Sequence, residues 1–225
     1  MSESVAVLDE GFVRLDAVLA DDLSVVNSAR VSFAQRSEEL TTKDEGLIKF
    51  LMREEHGTPF EHNFFRFHVK TPIFVAREWF RHRIGWSYNE WSGRYSEITA
   101  GAYTPNIKDM RSQTGSPGNY TYVFADDEES LALINGAYES SWEAYDKLLE
   151  RGVAKELARS VLPVSTWTEF YATTNARALM HFLHLRNSVT AQYEIRVYAM
   201  AMEEMLIEHM PITGAAFLDA DRRCP

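Results

Sequence analysis

The fifteen residues from Arg81 to Tyr95, RHRIGWSYNEWSGRY, gather side chains suited to holding an anion. Arg81, His82, Arg83 and Arg94 stand around Tyr88, Asn89, Glu90 and Ser92. A guanidinium is planar, permanently charged, and grips phosphate or carboxylate bidentately. The whole chain has 33 acidic against 23 basic residues, a formal net charge of −10, so this stretch inverts the local sign. A solvated basic turn is the plainer account of any Arg-His-Arg. Trp86, Tyr88 and Trp91, and the Ser92-Gly93-Arg94 that follows, count against it.

A second chemical region is Asn175 to Arg186, NARALMHFLHLR. At about 100° per residue, Arg177, His181 and His184 share one helix face, with Leu179, Phe182 and Leu183 roughly opposite. Arg186 falls on the apolar side. An arginine there is costly unless it reaches a partner or a cleft; snorkelling from the helix end is the alternative. A third region, His56-Gly57-Thr58-Pro59-Phe60-Glu61-His62, invites a metal reading. Its spacing does not set both histidines on one helical turn and Pro59 interrupts, so no metal is expected.

Arg81-His82-Arg83, then the eight residues Ile84 to Trp91, then Ser92-Gly93-Arg94, resembles the signature of the flavin-dependent thymidylate synthases. The likeness extends along nearly the whole chain, through the Thr-Pro-Phe-Glu-His run and the Asn-x-Arg helix. The resemblance implies an α+β fold: a single domain over residues 1–225 with a curved, largely antiparallel sheet flanked by helices and no Rossmann motif. It implies reductive methylation of dUMP to dTMP in a homotetramer, with methylenetetrahydrofolate giving the carbon and NADPH-reduced FAD carrying the electrons. By position, Arg81, Glu90, Ser92, Gly93, Arg94 and Arg159 would bind dUMP, and Arg186 would meet the uracil as the catalytic group. Thr58, Arg81, His82, Arg83, Glu90, Asn175, Arg177 and His181 would contact FAD. Glu78, also at the nucleotide, stands where the family often has glutamine. A carboxylate there would repel the phosphate unless it pairs with Arg77 or Arg81, or is protonated.

The elements that must position these groups can be read from periodicity. Phe12–Leu19 and Asn63–Lys70 alternate as strands, and Val164–Ala172 is rich in β-branched and aromatic residues. Asp21 or Asp22 caps a helix bearing Leu23, Val26, Ala29 and Phe33; Gln35–Thr42 is a loop; Leu47 to Met52 lies on a helix ended by Gly57. Thr71–Phe80 reads as a helix capped by Thr71, with Pro72 in its first turn and Gly85 as the stop. Gly101–Ala125 reads as a long loop. Asp126 and Asp127 open a helix whose stripe, Leu131, Ile134, Tyr138, Trp142, Tyr145, Leu148 and Leu149, is expected to be core, with Gly152 closing it. A short helix, Ala154–Val161, carries Arg159. A last helix, Thr190–Met210, is ended by Pro211.

Composition bounds the remaining choices. With 45% hydrophobic residues in 225, the chain can bury a sizeable core. Its acidity argues against a general binder of nucleic acid or membrane surface, which weakens an RNA-binding reading of Arg81 to Arg94. The single cysteine, Cys224, excludes an internal disulfide and fits a reducing cytoplasm. MSESVAVLDEGF lacks a basic start and an apolar core, so no signal peptide is expected. No Gly-x-Gly-x-x-Gly, Walker loop or Cys-x-x-Cys occurs, so a dinucleotide would be held by side chains. The competing readings are another flavin-dependent enzyme acting on a pyrimidine nucleotide, and a non-catalytic nucleotide-binding regulator.

Overall fold

The computed structural model describes residues 4–225; Met1, Ser2 and Glu3, part of the opening stretch read as carrying no leader, lie outside it. The strands are β1 (Ser4–Val7), β2 (Gly11–Leu19), β3 (Phe64–Pro72), β4 (Trp86–Glu90), β5 (Arg111–Ser116), β6 (Asn119–Phe124) and β7 (Trp167–Asn175). The α-helices are α1 (Asp22–Arg30), α2 (Thr42–Arg53), α3 (Ile73–Trp79), α4 (Glu128–Glu150), α5 (Lys155–Ala158), α6 (Ala176–Arg186), α7 (Tyr193–His209) and α8 (Pro211–Asp219). One sheet has the order β1-β2-β3-β7-β4, and β5-β6 form a separate hairpin. Every neighbouring pair in the large sheet is antiparallel. A Rossmann fold needs parallel strands joined by crossovers, so the α+β expectation holds. No helix among the described residues is long and apolar enough to cross a membrane.

Alternation along the strands builds the core. Val13, Leu15, Phe65, Phe67, Val69, Phe170 and Ala172 are buried on one sheet face. That face packs against Val75 and Trp79 of α3, Leu179, Phe182 and Leu183 of α6, and Tyr198 and Met202 of α7 within one hydrophobic cluster. The Tyr198 hydroxyl donates to the Lys70 carbonyl at 2.7 Å, tying α7 to β3. A bulge between Leu15 and Ala17 shifts the β2–β3 register, which bends and twists the strand locally.

Several elements depart from the periodicity reading. Thr71 does not cap a helix: it pairs with Thr168 as β3 continues to Pro72, which sits extended and precedes α3. The residue before a proline is pushed out of the helical region, so the strand runs to the proline. α2 ends at Arg53, and the left-handed residue that turns the chain is Glu55 (φ 57°), not Gly57. The stretch Gly101–Ala125 contains the β5–β6 hairpin, reversed at Pro117-Gly118. Its strands are exposed on both faces, so no apolar alternation marks them. On α4, only Tyr145 of the expected core stripe is buried; the rest is half-buried, because Ile134 and Tyr138 line an open cavity. α7 begins at Tyr193 rather than Thr190 and stops before Pro211 as read, but it is not the last helix: Pro211 opens α8, where a missing N–H costs nothing.

Candidate active site

α3 stops at Trp79, and Arg81, His82 and Arg83 follow at once, before the chain turns through Gly85 into β4. Gly85 has φ +74°, and a Cβ there would lie 2.7 Å from that of Ala178. Only glycine lets this turn rest on the start of α6. The Tyr88 hydroxyl donates to the carbonyls of His82 (2.8 Å) and Trp79 (3.2 Å), fixing the turn from the strand side. Arg81 and Arg83 are exposed, whereas His82 points inward and is only 8% exposed.

His82 meets Arg186 there. Arg186 donates Nε–H to His82 Nε2 at 3.0 Å and Nη1–H to a Glu78 carboxylate oxygen at 3.1 Å, with Nη2 3.5 Å from the Glu78 carbonyl. A guanidinium only donates, so His82 is neutral and carries its proton on Nδ1. Burial, then the Arg186 charge and His181, push the His82 pKa down to about 4. Burial pushes the Glu78 carboxyl above its ordinary range, and Arg186 opposes that rise. Arg186 is thus no snorkelling residue; it is half-buried against two partners. Glu78 does find a cation, but it is Arg186 and neither Arg77 nor Arg81. Three of the five guanidinium N–H groups are engaged, leaving two for a ligand.

Arg186 and Glu78 line a cavity of about 980 Å³ whose other walls include Tyr103, Arg111, Tyr122 and Glu194. None of those four was singled out from sequence. Tyr103, Arg111 and Tyr122 lie in the stretch read as loop, and Glu194 lies in a helix read as packing; nothing in their spacing marks them. Arg81, Ser92, Arg94 and Arg159 do not line this cavity.

Ser92, Gly93, Arg94 and Arg159 form a separate group beyond β4. Gly93 is buried, and a Cβ there would sit 2.6 Å from Ile98 and 3.3 Å from the Arg159 side chain. Arg94 donates to Glu156 at 3.1 Å, and the Ser92 hydroxyl accepts from the Arg94 amide at 3.3 Å. Glu90 accepts from the Thr168 hydroxyl at 2.7 Å.

The third group centres on Arg177. It donates to Glu61 at 2.6 Å and to the Pro225 carbonyl at 2.7 Å. Gly57 packs under it: a Cβ there would fall 2.2 Å from Arg177 Nε. Arg177 and Thr58 share a cavity of about 750 Å³ with Ser28, Arg30, Ser32 and His56. Asn175 caps α6 by accepting the Ala178 amide at 2.8 Å, and exposed His181 lies 6.1 Å from the His82 ring. Hydroxyls and guanidinia in a glycine-floored cavity suit the phosphates and ribose of a dinucleotide, so the donor set fits FAD.

The sequence profile of the thymidylate synthase complementing protein family matches residues 15–212. The chain belongs to this family. Thymidylate synthase complementing proteins similar to it include the flavin-dependent thymidylate synthase of Thermosipho melanesiensis, 47% identical over 96% of this chain and 94% of that one. The enzyme of that name from Streptomyces coelicolor is 44% identical over 95% and 93% respectively. Among solved structures, the UMP/dUMP methylase PolB of Streptomyces cacaoi, bound with 5-Br dUMP, superposes with a TM-score of 0.87. It is 42% identical, over 98% of this chain and all of that one. The family resembled at Arg81-His82-Arg83 and Ser92-Gly93-Arg94 is the one that these relatives' names give.

Proposed function

We propose that this chain is a flavin-dependent thymidylate synthase, methylating dUMP to dTMP with methylenetetrahydrofolate as carbon donor and NADPH as reductant. The observation that carries the reading is Arg186, held half-buried by Glu78 and a neutral His82 with two N–H groups to spare. FAD, when bound, supplies the electrons that the transferred one-carbon unit needs. The chain's own task is to hold the dUMP phosphate, polarise the uracil and seat the flavin.

Uracil C5 must attack an activated carbon, and electron density has to reach it from the ring. Weakening the hold on the N3 proton spreads negative charge over N3, O2 and O4. The free N–H groups of Arg186 stabilise that charge more as it develops than in the ground state. No thiolate contributes. Burial raises the Cys224 thiol to about 11, and its sulfur lies 3.4 Å from the Arg177 carbonyl. Arg177 is nine residues, about 13 Å, along α6 from Arg186.

The remaining assignments follow the chemistry of each group. Ser92, Gly93, Arg94 and Arg159 take the dUMP phosphate, assisted by Arg81; Glu90, an acceptor only, meets dUMP away from its phosphate. Thr58, Asn175, Arg177 and His181 take FAD, with Arg81, Arg83, Glu90 and His82 at its other end. Glu78, which lines the same cavity as Arg186, stands at the nucleotide and holds Arg186 toward it. Because the phosphate group of cations does not line the Arg186 cavity, we place each site between copies of the chain in a homotetramer. We treat residues 1–225 as one domain and place the enzyme in the cytoplasm, which its lone cysteine suits.

The test is direct. The purified protein should be yellow or bind added FAD, and should form dTMP only when NADPH, dUMP and methylenetetrahydrofolate are all present. A colourless protein that ignores FAD would defeat the reading, and a monomer in light scattering with full activity would rule out shared sites. One observation favours a broader substrate: PolB, 42% identical, was also crystallised with 5-Br UMP. Competition between UMP and dUMP for turnover decides whether the 2′-hydroxyl is tolerated here.

A further inference from the structure

The β5–β6 hairpin forms a wall of the Arg186 cavity, through Arg111, Gln113, Tyr120 and Tyr122. It pairs with no other strand, and all its residues but Arg111 are exposed. Apolar burial therefore does little to hold it in place. Its anchor is one polar contact. Arg111 Nη2 donates to both carboxylate oxygens of Glu194, at 3.0 and 2.9 Å, and Arg111 Nη1 donates to the Asp109 carbonyl at 3.1 Å. Gln192 donates to the same carboxylate at 2.8 Å. The guanidinium also lies 5.9 Å from the ring centres of Tyr122 and Tyr193, one on the hairpin and one on α7. Glu194 is only 4% exposed. Beside this pair the Tyr103 hydroxyl is buried with no partner among the described residues, and the Glu194, Asp109 and Arg111 charges all act on it.

Taking two charges out of water is costly, and such a pair is poor evidence of stability; its better-attested use is to fix one arrangement. Here the arrangement fixed is the position of a hairpin that has little else to hold it. We propose that Arg111 and Glu194 are positioning residues: their ion pair clamps the β5–β6 hairpin as the outer wall of the Arg186 cavity, and dUMP binding depends on that clamp. The inference rests on reading this cavity as the uracil pocket. Truncating Arg111 frees the hairpin and leaves the Glu194 carboxylate uncompensated in the same cavity as Arg186. Both effects oppose an anionic nucleotide. Neither touches the Thr58–Arg177 cavity.

The experiment compares Arg111→Met, Arg111→Lys and Arg186→Lys in the flavin-loaded enzyme. It reads dUMP KM and kcat, flavin content, and amide hydrogen exchange over residues 111–124. Arg111→Met should raise dUMP KM about tenfold or more while kcat at saturation stays within about threefold. Its hairpin amides should exchange about tenfold faster, with those of β3 and β7 unchanged. Arg111→Lys keeps the charge but loses the second nitrogen, which donates to the Asp109 carbonyl, and should fall between Arg111→Met and wild type. If Arg111→Met fails to fold, Arg111→Lys carries the test on its own. Wild-type KM and wild-type hairpin exchange in the variant overturn the clamp. Arg186→Lys separates the two layers: normal turnover there sinks the uracil-pocket reading, whereas poor turnover there beside an unaltered Arg111→Met sinks the clamp alone.

Discussion

Acidification should weaken the fold through His82 by an amount the structure bounds. His82 is almost fully buried against Phe182, accepts the Arg186 Nε–H, and is pushed down to about 4 from an ordinary 6.5. The folded-state pKa is depressed, so the unfolded chain takes up the proton first. The contribution is complete above pH ~6.5 and is lost as pH falls from there toward the folded value. At 1.36 kcal/mol per unit, the loss between pH 7 and 4.5 is at most about 2.5 kcal/mol. A protonated His82 would also turn both nitrogens into donors, leaving the Arg186 Nε–H without its acceptor. The assay is urea unfolding of wild type and His82→Asn at fixed protein concentration, from pH 7 to 4.5. The stability of wild type should fall relative to the variant by about 2 kcal/mol over that range. Parallel pH profiles, or a His82 imidazole resonance titrating near 6.5 in the folded protein, would refute the reasoning.

Three other outcomes are expected. Cys224→Ala should keep dTMP formation near wild type, because the thiol is held at about 11 by burial; a loss of ~100-fold or more, about 2.7 kcal/mol, would restore a thiolate mechanism. Gly57→Ala would place a Cβ 2.2 Å from Arg177 Nε and displace that side chain, so FAD affinity in a fluorescence titration should drop about tenfold or more. Unchanged affinity would remove the Thr58–Arg177 cavity from the flavin site. Ser92→Ala should raise the dUMP KM and leave turnover, since the Ser92 hydroxyl accepts from the Arg94 amide and has no base among its hydrogen-bond partners; a covalent Ser92–nucleotide adduct in mass spectrometry would overturn this.

The sheet was legible where one face is buried. Phe65, Phe67 and Val69 alternate with exposed or half-buried neighbours, and Val13 and Leu15 do the same, so β2 and β3 declare themselves. Capping chemistry was equally local at Asp21 and Asp127, each accepting from an amide three residues on; Asn175 does the same on α6, though it was read only as a flavin contact. The hairpin was not legible, because Arg111 to Phe124 has no buried face and its strand pairing leaves no pattern in hydrophobicity. The partners of the site were hidden for another reason. Arg186 reads as an arginine on an apolar face, which predicts some partner, but Glu78 and His82 lie over 100 residues away. Arg111 and Glu194 are 83 residues apart and join only through the fold. Local patterns locate groups that cap, alternate or cluster; pairs closed by tertiary contact carry no such mark.

The central claim is that Arg186 activates the uracil ring, and exchange of the dUMP C5 hydrogen with solvent tests it most directly. The measurement uses flavin-loaded wild type, Arg186→Lys and Arg186→Ala, with FAD content matched by absorbance. Arg186→Lys retains charge without the fork and should exchange poorly; Arg186→Ala should be slower than wild type by about 100- to 1000-fold, equivalent to about 2.7–4 kcal/mol if it resembles loss of an oxyanion donor. Near wild-type exchange in Arg186→Ala would contradict the account and move the activation of uracil to another group.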